Sequence, residues 1–333
     1  ALAAAPRIKI GQMGTTHAHA HGKMDAIRKY PEIFDVVGVV EPDAKQRASV
    51  AKRKTYQGLK WMTEAELLAI PGLQAVAVET DVRDLVPTGL RCIKAGKHIH
   101  LDKPAGESMS ECRALHSEAQ RRNLTIQMGY MLRYNPGFQF LFEVLKKGWL
   151  GEITEVSAMM GKKMNDAGRR ELSQYEGGGM FELACHIVDA LIYILGEPET
   201  VTAFNHRTYP KKDSFADNQM AVFDYPKAIA TIRCNHIDPM GFSRRQFNVT
   251  GTLGTLLIHP LEAPKVRLGL DRQRGEFKKG FQDVPMPKSP GRYDKEFLDL
   301  AQIIRGQKKL AWNSQHDLHV HESVLRACGM KID

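Results

Sequence analysis

The sequence predicts an α/β protein in which an N-terminal doubly wound parallel sheet is followed by a C-terminal α+β domain with a large, mostly antiparallel, open-faced sheet. Apolar runs alternate with helical segments over the first 128 residues, which is the pattern of right-handed βαβ units. After Gly129, several strand-like runs follow one another with no long helix between them. At about 100–200 residues per domain, a chain of 333 residues suggests two domains.

The strands of the first domain are short apolar runs, typical of strands that are buried on both faces. They are expected at residues 8–13, 34–40, 73–78, 97–101 and 124–128. Helices are expected at about 21–29, 85–94 and 110–122, and Gly96 ends the second of them. This order predicts a Rossmann-like, dinucleotide-binding domain over residues 1–128.

The pattern changes in the second half, for which we predict a substrate-binding and oligomerisation domain at residues 129–333. Helices are expected at 138–147, ended by Gly148, and at 180–195, ended by Gly196. Strands follow at 201–204, 219–225, 229–235, 246–250 and 255–259. Two further helices, at 295–305 and 317–328, close the chain.

Composition excludes several classes of protein. Hydrophobic residues make up 43% and charged residues 26%, which is ordinary for a globular chain. The sequence contains no run of about 18 apolar residues, so it predicts no membrane-spanning helix. The net charge of +9 favours anionic partners, but the basic residues are scattered and form no nucleic-acid module. We expect no nucleic-acid or membrane partner, and an anionic cofactor or substrate would suit the charge.

The cysteines and the first residues say little about the compartment. The five cysteines form no CxxC pair and are expected to be small buried hydrophobes. The chain begins Ala1-Leu2-Ala3-Ala4-Ala5-Pro6, which resembles the small-residue end of an export signal. Trimming of the chain explains this beginning equally well, so a cytoplasmic and an exported location both stay open.

A candidate phosphate-binding turn follows the first strand. Gly14 stands where a tight strand-to-helix turn favours a residue without Cβ, and the helix behind it offers free N–H groups to a pyrophosphate. The match to G-x-G-x-x-G is imperfect because Thr16 replaces the second glycine, so an ordinary βα turn explains it equally well. The contacts predicted for the cofactor come from Gly11, Gly14, Thr15, Thr16 and His17.

Glu41 ends the second strand, where a carboxylate can accept hydrogen bonds from the adenosine ribose. Because a carboxylate repels the 2′-phosphate of NADP, we predict NAD as the preferred cofactor and NADP as the second choice. A solvated glutamate at a strand end is the alternative interpretation.

His17, His19 and His21 alternate in the same turn, and imidazole binds zinc, nickel and copper. No neighbouring carboxylate or cysteine in the sequence completes a site. We therefore predict no metal and expect His17 to contact the cofactor phosphates or the substrate.

Two further motifs carry a resemblance to a known family. Residues 96–104 read Gly-Lys-His-Ile-His-Leu-Asp-Lys-Pro, and residues 177–189 read Gly-Gly-Gly-Met-Phe-Glu-Leu-Ala-Cys-His-Ile-Val-Asp. Together they resemble the G-K-H-V-x-x-E-K-P and G-G-G-x-x-x-D-x-x-x-H-x-x-D motifs of the Gfo/Idh/MocA oxidoreductases. Residues 130–136, 148–153 and 250–255 are similar to three further family segments in the same order.

The chemistry of these residues can also be argued without the family. Glu182 and His186 are four positions apart on a predicted helix and therefore share a face. His186 can exchange a hydroxyl proton near neutral pH. Lys103 follows a parallel strand, where open α/β sheets bind ligands, and a cation there stabilises developing alkoxide charge.

The resemblance implies that Lys103 and His186 are the catalytic pair and that Glu182 positions the substrate. Asp189 is expected to support its helix rather than to contact substrate. The resemblance also implies further cofactor contacts and further substrate contacts. The cofactor contacts are Thr80, Asp102 and Lys103, and the substrate contacts are Tyr130, Arg133, Lys103, Glu182 and His186.

Three departures from the family put the substrate in doubt. Asp102 replaces a glutamate, Glu182 replaces an aspartate, and Asp81 and Val82 follow Thr80 in place of Pro-Asn. The leading hypothesis is an NAD(P)-dependent dehydrogenase acting on a secondary hydroxyl of a sugar, polyol or glycoside. The alternatives are a glycosidase or lyase with resident NAD, and a non-catalytic dinucleotide sensor. The resemblance further implies a homodimer or homotetramer through the C-terminal sheet.

Overall fold

The computed structural model describes residues 5–333, so the resemblance of Ala1 to Ala4 to an export signal lies outside the described residues. The chain forms two compact units. The first comprises the residues up to Gly129 together with Pro290–Gln315, and the second comprises Tyr130–Ser289 with His316–Asp333. None of the helices in residues 5–333 has the length and apolar character needed to span a membrane.

Six parallel strands form the sheet of the first unit. They are β1 (Ile8–Met13), β2 (Phe34–Val40), β3 (Trp61–Met62), β4 (Leu73–Val78), β5 (His98–Leu101) and β6 (Ile126–Met128). Their order across the sheet is β3-β2-β1-β4-β5-β6. Strands β2 and β3 are added on one side of β1 and strands β4 to β6 on the other, so the strand order reverses between β1 and β4. This confirms the doubly wound sheet, whose ligand crevice lies at the carboxyl ends beside that reversal.

Five helices connect these strands: α1 (Ala20–Arg28), α2 (Ala44–Val50), α3 (Glu64–Leu68), α4 (Val82–Lys94) and α5 (Met109–Arg121). Helix α2 begins where the Asp43 side chain accepts hydrogen bonds from two backbone N–H groups, and α3 begins with a Thr63–Glu66 capping box. The sequence did not predict α2, β3 or α3. These elements are short, and their stability comes from caps and packing rather than from a periodic apolar stripe.

The second unit opens with helix α6 (Pro136–Lys146), strand β7 (Ile153–Gly161) and helix α7 (Asp166–Leu172). A π-helical turn, Met180–Ala184, leads directly into helix α8 (Cys185–Leu195). The helix predicted at 180–195 is thus confirmed, but its first turn is wider than an α-helical turn.

Eight strands form the sheet of the second unit, and all neighbouring pairs except β7 and β10 are antiparallel. After β7 they are β8 (Thr200–His206), β9 (Asn218–Asp224), β10 (Ile229–Asn235), β11 (Gln246–Gly251), β12 (Gly254–Ile258), β13 (Val266–Leu270) and β14 (Gly280–Val284). Their order is β14-β13-β12-β11-β7-β10-β9-β8. Alternate side chains such as Phe223, Ile232 and Phe247 are fully buried, which gives the sheet one core face.

The chain closes with helices α9 (Asp294–Ile304) and α10 (Ser314–Ala327). The sequence placed both in a second domain running from residue 129 to 333, but α9 belongs to the first unit. Lys23 of α1 forms a buried ion pair with Glu296 of α9, and the Phe34 and Phe297 rings pack edge to face. The prediction of two continuous domains was wrong here, because the return of a helix to an earlier unit depends on contacts remote in sequence.

Candidate active site

The turn after β1 is held close to the end of β4. Gly14 has φ +85°, and a Cβ there would lie 2.6 Å from the backbone nitrogen of Thr80. Only glycine fits this close approach. The N–H groups of Thr16 and Ala18 make no hydrogen bond within residues 5–333, and helix α1 begins directly afterwards. The turn therefore offers donors at a helix N-terminus, as a bound phosphate requires.

The Glu41 carboxylate holds this turn through hydrogen bonds. One carboxylate oxygen, Oε2, accepts hydrogen bonds from the Thr15 N–H at 3.0 Å and the Thr15 hydroxyl at 2.6 Å. The other, Oε1, accepts from the Asp43 N–H at 3.2 Å. The glutamate that the sequence assigns to the ribose is thus already bonded within its own loop. The predicted contact between Glu41 and the ribose stays a prediction.

Two histidines and one carboxylate meet where the turn passes the end of β5. The Nδ1 atoms of His17 and His19 each lie 3.1 Å from Oδ2 of Asp102. On its other side, the His17 ring places Nε2 3.1 Å from the carbonyl oxygen of Lys103. Asp102 also accepts from the Lys103 N–H at 2.8 Å. Lys103, which is 3% exposed, is therefore tied to the candidate cofactor turn through its own backbone.

Burial dominates the electrostatics of this cluster. Burial and the neighbouring Asp102 carboxylate raise the pKa of Glu79 well above its usual value. Burial would also raise the pKa of Asp102, but His17, His19 and Lys23 outweigh it, so the pKa falls well below the usual range. Burial lowers the pKa of His19 to about 4, which leaves this imidazole neutral at neutral pH.

A buried ion pair lies behind the cluster. The Lys23 ammonium donates to Glu296, and both side chains are fully buried. Burial alone would lower the pKa of Lys23, but the Glu296 carboxylate outweighs it and raises the pKa. The Lys23 nitrogen also lies 4.3 Å from the centre of the Tyr293 ring. This ion pair links α9 to α1. It also places the Lys23 ammonium close enough to Asp102 and Glu79 to interact with both charges.

The second unit holds a separate polar cluster, built on the three-glycine motif. Glu182 of the π-helical turn accepts from Lys162 Nζ at 3.1 Å and lies 3.3 Å from Nε2 of His236. A Cβ on Gly179 would lie 2.3 Å from the His236 ring, so the motif leaves room for this imidazole. Burial lowers the pKa of His236, although Glu182 opposes the shift.

His186 follows one turn later in α8 and is 1% exposed. Its ring packs edge to face against Tyr130, with ring centres 6.0 Å apart. Burial raises the pKa of the Tyr130 hydroxyl well above its usual value, so this phenol stays protonated. The fold therefore buries the predicted acid–base histidine beside the Tyr130 ring.

Arg133 is used differently from its prediction as a substrate contact. It is 1% exposed and donates to Asp189, at 2.7 Å, and to Asp317. His316 Nε2 lies 2.9 Å from the same Asp189 carboxylate. A guanidinium directed at two buried carboxylates is a structural ion pair, so we propose that Arg133 positions α8 and α10. The supporting role expected for Asp189 agrees with these contacts.

Two family models match the chain. The model described as "Oxidoreductase family, NAD-binding Rossmann fold" matches residues 8–130, and the "GFO/IDH/MocA C-terminal domain" matches residues 138–257. The chain belongs to the Gfo/Idh/MocA oxidoreductase family. Its first unit is accordingly a Rossmann domain of the NAD-binding type, and the protein is an enzyme of the dehydrogenase class.

Characterised proteins similar to this Gfo/Idh/MocA protein have low sequence identity to it, but the similarity extends over most of the chain. Trans-1,2-dihydrobenzene-1,2-diol dehydrogenase of Bos taurus is 25% identical over 261 residues, covering 77% of this chain and 73% of the relative. The scyllo-inositol 2-dehydrogenase (NADP(+)) of Bacillus subtilis is 25% identical, covering 73% and 65%. A solved levoglucosan dehydrogenase in complex with NADH and levoglucosan has the same fold, with a TM-score of 0.83, 15% identity and coverage of 97% and 98%.

The remaining predicted residues of this family member fall into two groups. Thr15 and Thr16 lie in the turn after β1, and Thr80 lies beside Gly14 of that turn; their contacts with a cofactor stay predictions. Gly11 instead lies within β1, where a Cβ would meet the Leu67 side chain at 2.6 Å. Packing accounts for this glycine, and we propose that it makes no cofactor contact.

Sequence reasoning missed three charged residues of the first unit: Glu79, Lys23 and Glu296. All three are fully buried. A charged residue directly after the apolar run 73–78 was the available signal for Glu79. Lys23 and Glu296 had no such signal, because charged residues on amphipathic helices are normally solvated.

Proposed function

We propose that this protein transfers a hydride between NAD and a secondary hydroxyl group of a sugar, polyol or glycoside. The observation that carries the proposal is the position of Lys103. It lies two residues after β5 at the carboxyl edge of the parallel sheet, is 3% exposed, and its carbonyl oxygen contacts His17 of the candidate cofactor turn. Ligands of doubly wound sheets bind at this edge.

The first unit fits a nicotinamide dinucleotide. Gly14 closes the turn, the Thr16 and Ala18 N–H groups are available as donors, and α1 begins behind them. Glu41 ends β2 and keeps a carboxylate beside the turn, which favours NAD over NADP by charge repulsion. When bound, the cofactor supplies the group that accepts or returns the hydride.

The protein's own side chains supply proton transfer and charge stabilisation. The Lys103 ammonium donates a hydrogen bond to the reacting hydroxyl oxygen and stabilises the negative charge that develops there. His186 takes the hydroxyl proton during oxidation and returns it during reduction. Glu182, held by Lys162 and His236, accepts hydrogen bonds from neighbouring substrate hydroxyls and so orients the ring.

The substrate class follows from the relatives and from this donor set. The names of these similar proteins refer to a diol, an inositol and levoglucosan. A carboxylate at Glu182 and a cation at Lys162 suit a small molecule with several hydroxyl groups. We propose a polyhydroxylated ring as substrate and expect no activity towards a simple monohydric alcohol.

The first prediction tests the catalytic residues. We expect Lys103→Met and His186→Asn each to lower kcat/KM for the best polyol substrate by about 10²–10⁴-fold, the usual contribution of one acid–base group. Lys94→Met and His206→Asn replace exposed residues of the same types and serve as matched controls. NADH formation is followed by absorbance, and NAD affinity is measured separately. Wild-type turnover in both active-site variants would exclude the assigned roles.

A second candidate function is a glycosidase or lyase that keeps its NAD and cleaves by transient oxidation and elimination. The pairing of Glu182 with His236 at 3.3 Å favours it, because this carboxylate–imidazole pair can act as an acid–base group besides His186. Elimination needs a proton removed from carbon and another delivered to the leaving oxygen.

The second prediction separates these two functions. For the dehydrogenase, we expect NAD to exchange freely and NADH to accumulate with free sugars or polyols. For the glycosidase or lyase, NAD remains bound through purification, glycosides are cleaved without net NADH, and His236→Asn abolishes cleavage while leaving NAD content unchanged. Bound nucleotide is identified by mass spectrometry after denaturation. Absence of NAD and NADP binding at millimolar concentration would contradict both functions.

A further inference from the structure

The first unit brings together a set of metal-ligating atoms that the sequence does not place side by side. His17 and His19 lie in the turn before α1, and Asp102 lies 83 positions further along the chain from His19. One donor atom from each of the three lies within 4.8 Å of the others. The prediction of no metal depended on the lack of a carboxylate near the histidines, and Asp102 supplies one.

The hydrogen bonds of His17 fix which of its ring nitrogens is available. Its Nε2 faces the carbonyl oxygen of Lys103 at 3.1 Å, and a carbonyl can only accept, so Nε2 carries the proton. The other ring nitrogen, Nδ1, lies 3.1 Å from Asp102 Oδ2 and 3.3 Å from the backbone nitrogen of His19, so it is the nitrogen that faces the cluster. A histidine whose second nitrogen donates to a backbone carbonyl is the usual arrangement of a metal ligand.

Both imidazoles direct a ring nitrogen at the same carboxylate oxygen. His17 Nδ1 and His19 Nδ1 each lie 3.1 Å from Asp102 Oδ2. A metal cation among these atoms takes the place of the shared protons and binds all three side chains. Both 3.1 Å distances are close to the separation of about 3.3 Å between ligand atoms of a tetrahedral ion with bonds of about 2.0 Å.

Glu79 is a second observation at the same cluster. Its side chain is fully buried, it interacts with the Asp102 carboxyl group, and no donor group within residues 5–333 hydrogen-bonds to either of its oxygens. One of these oxygens lies 3.7 Å from Nδ1 of His17. A buried acid stays neutral unless a cation compensates its charge, and a metal ion in the cluster supplies that charge. The nearby Lys23 is already paired with Glu296.

The other compact His/Asp group offers a useful contrast. Asp189, His316 and Asp317 are equally close in space, but the Arg133 guanidinium donates to both carboxylates. That group is therefore already neutralised. Asp102 instead accepts from the Lys103 backbone N–H and faces the imidazoles of His17 and His19, and no arginine within residues 5–333 donates to Asp102 or Glu79.

We propose that His17, His19 and Asp102 form a site for one divalent transition-metal ion, with Glu79 or a water molecule as the fourth ligand. Two imidazole nitrogens and one or two carboxylate oxygens favour zinc, with cobalt, nickel and iron(II) as weaker or substitute ions. An ion bound there links the turn before α1 to the segment after β5 that contains Lys103. The site uses residues of the first unit alone and does not depend on the proposed reaction.

The test is metal binding by the full-length protein in the absence of cofactor and substrate. Purified protein is stripped with a chelator and titrated with zinc by calorimetry and with cobalt(II) by visible absorption. We expect one ion per chain, a tetrahedral-type cobalt spectrum and a higher melting temperature with zinc. His19→Asn and Asp102→Asn are expected to weaken binding by at least about tenfold.

Two variants serve as matched controls. His21→Ala removes an exposed histidine from helix α1, directly after the turn that holds His17 and His19, and His316→Gln alters the contrasting group in the second unit. Both are expected to bind the ion as wild type does. Retention of wild-type affinity in His19→Asn and Asp102→Asn, or loss of affinity in His21→Ala, would overturn the assignment.

A measurement on the unaltered protein covers the case in which a variant does not fold. In ¹⁵N-histidine spectra, zinc is expected to shift the Nδ1 resonances of His17 and His19 and to leave that of His21 unchanged. If zinc shifts neither resonance at millimolar concentration, the cluster is a hydrogen-bonded network alone. Because no cofactor is present, this result stays interpretable even if the proposed oxidoreductase activity fails.

Discussion

At the scale of single residues, the fold pairs several charged side chains in its interior, and one of them is a residue that the sequence suggests for chemistry. Arg133 is the clearest case, since its guanidinium is buried between Asp189 and Asp317. Lys23 and Glu296 are a second buried pair. Breaking such a pair leaves an uncompensated charge in the interior, which is far more destabilising than losing an exposed pair.

The third prediction concerns this arginine. Arg133→Met is expected to lower the free energy of unfolding by about 3–5 kcal/mol, because two carboxylates lose their buried partner. Urea unfolding followed by circular dichroism measures the change. Lys227→Met removes the lysine of an exposed pair with Glu152 and is expected to unfold like wild type. Equal unfolding midpoints for all three proteins would show that the buried pair has no stabilising role.

The fourth prediction is a pH dependence that follows from Asp189. Burial raises the pKa of its carboxyl, but the Arg133 guanidinium and His316 outweigh burial, so the folded-state pKa lies below the usual value. The group therefore stabilises the fold fully above its unfolded pKa of about 3.9. This stabilisation is lost as the pH falls through the lower, folded-state pKa.

Acid titration of stability measures this effect. We expect the free energy of unfolding of wild type to fall more steeply below about pH 4 than that of Asp189→Asn, which has no proton to bind. Asp224→Asn replaces an exposed aspartate at the end of β9 and is the matched control. Parallel curves for wild type and Asp189→Asn would contradict the contribution assigned to Asp189.

At the scale of elements, the candidate sites depend on close approaches between neighbouring segments. The turn after β1 touches the end of β4 at Gly14, and the π-helical turn leaves room for His236 at Gly179. Gly14 lies in the candidate phosphate-binding turn, and Gly179 is the third glycine of the motif at residues 177–189. The structure shows why they are needed, since an added Cβ in either place collides with backbone or with a ring.

The fifth prediction isolates the collision at Gly14. Gly14→Ala combines a positive φ with a Cβ 2.6 Å from Thr80, whereas Gly58→Ala has φ +76° and no atom within 4 Å of its Cβ. Both variants carry the backbone strain of the left-handed region, about 1–2 kcal/mol. Only Gly14→Ala is expected to lose NAD affinity, by more than about tenfold, since it alone shifts the phosphate-binding turn.

Calorimetric titration with NAD gives the affinities, and thermal unfolding reports the strain. A similar small fall in melting temperature for the two variants, with weakened NAD binding in Gly14→Ala alone, is the expected result. If Gly58→Ala weakens NAD binding as much, strain in the first unit, and not the contact with Thr80, controls the cofactor turn.

At the scale of the whole molecule, the large sheet of the second unit has two unlike faces. Phe223, Ile232 and Phe247 lie on the buried face. On the opposite face, one register row crosses five strands and is half-buried throughout. The row consists of Val222, Thr231, Ser157, Asn248 and Leu257. A flat, partly apolar face of this kind suits a symmetric contact between copies of the chain.

Association through this face is the remaining sequence prediction, as a homodimer or a homotetramer. Light scattering after gel filtration is expected to give two or four times the monomer mass. The double variant Val222→Asp with Leu257→Asp should give monomers, because it places charges at the centre of the contact. Phe242→Ser, at an exposed residue outside the strands, is the control. A monomeric wild-type protein at micromolar concentration would refute the assembly.

The sequence by itself determined the elements with a strong periodic or apolar signal. The strands from Ile8, Phe34 and Leu73 and the helices before Lys146 and Leu195 have the predicted positions within a few residues. The fold class followed, since alternating strands and helices leave few allowed topologies. The family followed from five ordered motifs, and the two matching models confirm it.

Only the tertiary structure decided which remote charged groups meet. Asp102 joins His17 and His19, α9 returns to the first unit through Glu296, and Arg133 is enclosed by Asp189 and Asp317. Periodicity reports which face of an element is buried, but it carries no information on its partner. The pairing of buried charges is set by contacts between segments far apart in sequence, where the cost of an unpaired charge selects the arrangement.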